Sequence, residues 1–127
     1  MMSVVLRTRI TAIGPEVVEL AEGGVVILFA HGSPPELAEV AVLHEVEDGP
    51  DETGPHVGAS IMIGEVRAVV TAVGSSAWAN VRELGHVVLS FNGADKAERP
   101  GEICVSEVAS SMLVASLVEN AVISIGE

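Results

Sequence analysis

Short aliphatic runs recur along this chain, each closed by glycine, proline or asparagine: "VVLRTRITAIG", "GGVVILFA", "VAVLHEV", "ASIMIGEVRAVVTAVG", "HVVLSFNG", "GEICV" and "NAVISI". Valine, isoleucine and threonine dominate them, and such residues fit a pleated surface better than a helix. Runs this short, spaced by turn residues, predict many short strands. With two Phe, one Trp and no Tyr, the core they bury must be aliphatic. A chain of 127 residues makes one domain, spanning 1–127 here. The expected fold class is all-β, a compact β-barrel or sandwich.

Alternation gives the faces. In the first run Leu6, Thr8 and Ile10 share one face, and Arg7, Arg9 and Thr11 the other. Val40, Val42, His44 and Val46 share a face of the third. "GGVVILFA" is continuously apolar, as in a strand buried on both sides. Val87, Leu89 and Phe91 form a buried face, with His86, Val88 and Ser90 opposite. The stretch "EDGPDETGPHVG" is loop, and "SPPELAE" is a turn or single helical turn. One short helix is predicted near residues 76–84, where Trp78, Val81 and Leu84 recur at helical spacing. Ser75 or Ser76 is the expected N-cap, and Gly85 the left-handed stop. Residues 108–120 fit either helix or strand.

Charge excludes several functions. Eighteen acidic residues against six basic ones give a net charge of −12. Nucleic acid would be repelled, and so would an anionic membrane surface. A basic protein partner would be attracted. Cys104 is the sole cysteine, so no intrachain disulfide is expected, which fits the cytoplasm. The start carries neither the apolar stretch nor the cleavage site of a signal peptide, and no run reaches the roughly 20 apolar residues of a membrane helix. Direct membrane insertion is not expected.

Chemistry, if present, falls to the histidines, which number four. His44 interrupts an apolar strand face. His86 follows Gly85 and opens a strand. His56 lies in a Gly/Pro loop, and His31 follows the second strand as an ordinary loop residue. They can be unrelated structural residues. A metal site finds no support, because no pair stands at i, i+2 on a strand or i, i+4 on a helix. Histidine nucleophilic catalysis is open, since it needs a neutral imidazole and groups to hold the incoming charge. A serine hydrolase is not indicated, as no G-x-S-x-G elbow occurs.

"TAVG" at 71–74, Asn80 in a helix, "ELGH" at 83–86 and the turn Phe91 to Gly93 occur in an order that resembles one family. It is the glucitol/sorbitol-specific enzyme IIA of the bacterial phosphoenolpyruvate-dependent sugar phosphotransferase system. Thr8, Ile10, Ile13 and Gly14 match its early pattern, and Pro100-Gly101 its later one. The resemblance implies a barrel-like fold and a phosphoryl relay. A histidine would take phosphate from the carrier HPr and pass it to the IIB component of a IIB/IIC permease. Gly32, Pro34, Leu37 and Glu39 match the stretch before the family's acceptor, which assigns that role to His44. His56 and His86 match two other recurrent positions, with phosphate stabilisation as their implied role. No metal or other cofactor is implied.

The opposing expectation is a small ligand-binding or regulatory barrel without chemistry. It requires His44 to be buried with both ring nitrogens bonded, whereas the relay requires His44 and His86 within reach of one phosphate.

Overall fold

The structure, a computed structural model, describes residues 4–30 and 33–126. Eight strands form a closed barrel: β1 (Val4–Ile13), β2 (Val25–Phe29), β3 (Ala41–Asp48), β4 (Ser60–Ile63), β5 (Val66–Val73), β6 (Val87–Ser90), β7 (Glu102–Val105) and β8 (Val122–Gly126). Their order around the barrel is β1-β3-β2-β6-β7-β5-β4-β8, closing back on β1. Closure pairs every strand on both sides and leaves no edge to aggregate. Of the eight interfaces, β2–β3 and β6–β7 are parallel and the others antiparallel.

The faces follow the alternation. Leu6, Thr8 and Ile10 are buried, as are Val42 and His44, with Val46 packed against the core. Val5 and Ala41, at alternate positions, are buried too, and the Val5 carbonyl accepts from the Asp51 amide of the loop after β3. In β2 only Val26, Leu28 and Phe29 are buried, so burial on both faces is partial. The interior is aliphatic, with Ile61, Leu89, Ile103, Leu113, Ile123 and Ile125 nearly inaccessible. At about 25 cal/mol per Å² of apolar surface, such residues supply the main drive to fold.

Four helices cap the barrel: α1 (Val17–Glu22), α2 (Pro35–Ala38), α3 (Ala77–Leu84) and α4 (Ser110–Ser116). The short helix expected near residues 76–84 is α3, and three further short helices accompany it among the described residues. In α1 only Val17 and Ala21 are buried, a four-residue repeat too brief to register as periodicity in sequence. The ambiguous stretch resolves as α4, which buries Leu113 and packs against α1 at one end of the barrel.

At the other end lies α3. Ser76 occupies its N-cap without a side-chain cap bond, so the expected serine cap is absent. Its C-terminus ends as expected, with Gly85 left-handed at φ 64°. The Gly85 amide donates to the Val81 carbonyl, the single bond of the αL cap, and the His86 amide reaches that of Asn80 at 3.3 Å. The 49–58 loop is tied to this helix. Trp78 donates its indole N–H to the Asp51 carbonyl at 2.7 Å, and Gly54 lies against the Trp78 ring, where any Cβ would come within 2.7 Å.

Candidate functional site

The site is built on the inner face of the barrel, beneath α3. In the β1–β3 ladder Ile10 faces His44 and Thr8 faces Val46, so Thr8 lies diagonally across from His44 on the same face. Their side chains meet: Thr8 Oγ1 is 2.6 Å from His44 Nδ1. Thr8 is 0% exposed and His44 2%. On its far side His44 Nε2 lies 2.7 Å from the Gly85 carbonyl oxygen. A carbonyl only accepts, so Nε2 carries the proton. In the neutral ring Nδ1 is then an acceptor, and the Thr8 hydroxyl donates to it.

Gly85 is held by both helix and barrel. Ala30, just beyond β2, donates its amide to the Leu84 carbonyl at 3.1 Å. A Cβ on Gly85 would collide with that of Ala30 and come within 3.1 Å of His44 Cε1. Only glycine fits this close approach at a left-handed backbone. Beside it opens a depression of about 250 Å³, lined by Ala30, Val46, Pro50, Val81, Leu84 and Gly85.

His86 follows directly. Its ring packs against Phe29, 5.1 Å between centroids and tilted by 41°. It is half-buried, and this partial desolvation lowers its pKa below the ordinary histidine value. Burial thus favours the neutral ring. His44 and His86 share one corner of the molecule, joined through the bond from His44 to Gly85. His56 is exposed on a loop whose next residue, Val57, lines a different, wider depression of about 680 Å³. Pro34, Leu37 and Glu39 of the motif before His44 belong to α2 and its flanks. His31 and Gly32 lie outside the described residues.

His44 is therefore closed over, with both ring nitrogens in hydrogen bonds. That is the state expected of a non-catalytic barrel, and a relay through Nε2 requires the Gly85 carbonyl to move away. Glu45 and Glu47 project from the outer face of β3, away from His44, and flank Arg9 at 3.9 and 3.6 Å. Thr8 and Gly85 were not singled out as site residues in the sequence. The signal for Thr8 was present, a lone hydroxyl on the apolar Leu6–Ile10 face.

Among the described residues no three His, Cys, Asp or Glu side chains gather as a metal site, and no helix is long and apolar enough to cross a membrane. Cys104 is buried and unpaired with any other cysteine.

Comparison with known proteins joins this geometry to a lineage. The family model described as "PTS system glucitol/sorbitol-specific IIA component" matches residues 5–122. The chain is 39% identical over 105 residues to the "PTS system glucitol/sorbitol-specific EIIA component" of Escherichia coli (strain K12), covering 83% of this chain and 84% of that protein. The protein of the same description from Shigella flexneri matches at the same identity and coverage. Among solved structures, a PTS system IIA component from Enterococcus faecalis V583 superposes with a TM-score of 0.69 at 20% identity, covering 92% of this chain and 96% of that one. At that identity the likeness speaks for the fold.

Proposed function

The chain belongs to the glucitol/sorbitol-specific IIA family of the phosphotransferase system, and on that premise we propose that it is a cytoplasmic phosphotransferase of sugar-alcohol uptake. It accepts a phosphoryl group from phospho-HPr on a histidine and passes it to the IIB component of a IIB/IIC permease. His44 is the acceptor, through Nε2. The supporting observation is its clamp: a buried hydroxyl holds Nδ1, so the opposite nitrogen is aimed at the corner where Gly85 and His86 meet.

Phosphoryl transfer needs in-line positioning and stabilisation of charge on the equatorial oxygens. Transfer to Nε2 requires the Gly85 carbonyl to retreat, and in this scheme the form with that bond made is the resting one. His86, neutral and next in sequence to that carbonyl, donates an N–H to a phosphate oxygen. Removing such a donor lowers a rate by ~100- to 1000-fold. His56 lies exposed on the 49–58 loop, and its implied support of the phosphate is not required by this scheme.

The test is incubation with phosphoenolpyruvate, enzyme I and HPr, followed by intact-mass measurement. Wild type gains one phosphoryl group, His44→Gln gains none, and His86→Ala gains it slowly. A second reading is favoured by the exposure of His86, which would make that ring the acceptor. Uptake by His44→Gln together with none by His86→Gln decides for it. No uptake by wild type would return the protein to the non-catalytic reading.

A further inference from the structure

The contact between Thr8 and His44 has a consequence for the tautomer of the ring. At rest the Gly85 carbonyl requires the proton on Nε2. A nitrogen carrying a proton has no lone pair to attack phosphorus, so the resting tautomer is unreactive at that atom. The reactive tautomer carries its proton on Nδ1. A buried Nδ1–H needs an acceptor, because a buried donor left without a partner is strongly disfavoured. Thr8 Oγ1, at 2.6 Å and wholly buried, is in place to accept it. A hydroxyl both donates and accepts, so this one side chain serves both tautomers. A carboxylate could only accept and an amide N–H only donate, and either would favour one of the two.

We propose that Thr8 is a positioning residue for phosphoryl transfer, its hydroxyl donating to His44 Nδ1 at rest and accepting from Nδ1–H when Nε2 reacts. This rests on the assignment of His44 as acceptor. As the Gly85 carbonyl retreats, the ring takes up a proton at Nδ1 and releases the one on Nε2 to water, with no net change. The Nε2 lone pair then forms a bond to phosphorus as the donor's N–P bond breaks. The donor imidazole leaves neutral, its other nitrogen keeping a proton. The new phosphoimidazole of His44 keeps Nδ1–H on Thr8.

Two measurements test this. The first is the initial rate of phosphoryl uptake from phospho-HPr in Thr8→Val and Thr8→Ser. Loss of a group that orients a histidine costs about 10- to 100-fold where such partners have been removed from metal-bound histidines. Thr8→Val should fall by that order, and Thr8→Ser, which keeps the hydroxyl, should regain most of the rate. The second is the ¹⁵N spectrum of His44 in the wild-type protein, where the resting ring should carry its proton on Nε2. A wild-type rate in Thr8→Val, or equal losses in the valine and serine variants, overturns the proposal. So does a resting Nδ1–H tautomer in wild type, a result that stands even if the valine variant fails to fold. His44→Gln is run in parallel. Uptake there removes the acceptor assignment, whereas its loss beside an unaffected Thr8→Val removes the role of Thr8 alone.

Discussion

His86 and Phe29 pack ring to ring at 5.1 Å, at the junction where β2 ends and β6 begins. The contact shields His86 on one side and leaves it part-exposed on the other, and its pKa falls because burial penalises the charged ring. The folded protein therefore resists protonation there more than the unfolded chain does. Above the ordinary histidine range neither state binds the proton. As pH drops through that range the unfolded chain binds it first, so stability falls, and the loss is complete once the folded ring titrates. An NMR titration should put the His86 midpoint below that of a histidine peptide, and Phe29→Leu, which loosens the packing, should move it back up.

Gly85→Ala is expected to be among the most damaging single changes near the site. The backbone stays left-handed at φ 64°, and the new Cβ meets Ala30 and His44. Backbone strain of this kind costs about 1–3 kcal/mol, before the clash is counted. Thermal unfolding should show a clear drop in Tm, together with a shifted His44 ring signal. A variant as stable as wild type would mean that the α3 terminus does not close on β2 as described.

On β7, Glu102 is buried and accepts hydrogen bonds from the Ser90 hydroxyl and the Glu98 amide. The Ser90 bond is the main cause of its lowered pKa. The contribution is present while the unfolded carboxyl is ionised and is lost as pH falls through the folded pKa. Ser90→Ala should cost about 1.5 kcal/mol at pH 7, the size of a hydrogen bond to a charged group. In urea titrations the gap between variant and wild type should narrow in acid. A gap that is constant with pH would show that the hydroxyl only fills space.

The acidic 45–52 segment should speed encounter with a basic donor. Asp51 is engaged within its loop, accepting from the Gly54 amide at 2.8 Å, so the exposed Asp48 and Glu52 are the residues to neutralise. Steering acts on the association rate and is screened over about 8 Å at physiological ionic strength. Second-order transfer from phospho-HPr should slow with added salt, and Asp48→Asn with Glu52→Gln should flatten that dependence. An unchanged salt profile in the double variant would limit these charges to solubility.

Strand identity was legible in the sequence because the signal is local. Period-two alternation places Leu6, Thr8 and Ile10 on one face whatever lies across from them, and Gly64 and Gly85 mark chain reversals by their own backbone freedom. The same locality flagged His44 as odd on its strand, and "ELGH" as a helix end opening a strand. Ser90 defeated the pattern: alternation turned it outward, yet Glu102 from a neighbouring strand covers it. The choice between barrel and sandwich was likewise beyond local reading, because closure depends on β8 pairing with both β1 and β4 across most of the chain. The site has this same character. Thr8 and His44 are 36 residues apart, and His44 and Gly85 are 41. A hydrogen bond needs its atoms within about 3 Å, and only strand register and the docking of α3 bring these three residues that close. The sequence alone determined which residues could carry the chemistry, and the tertiary structure decided what holds each nitrogen of His44.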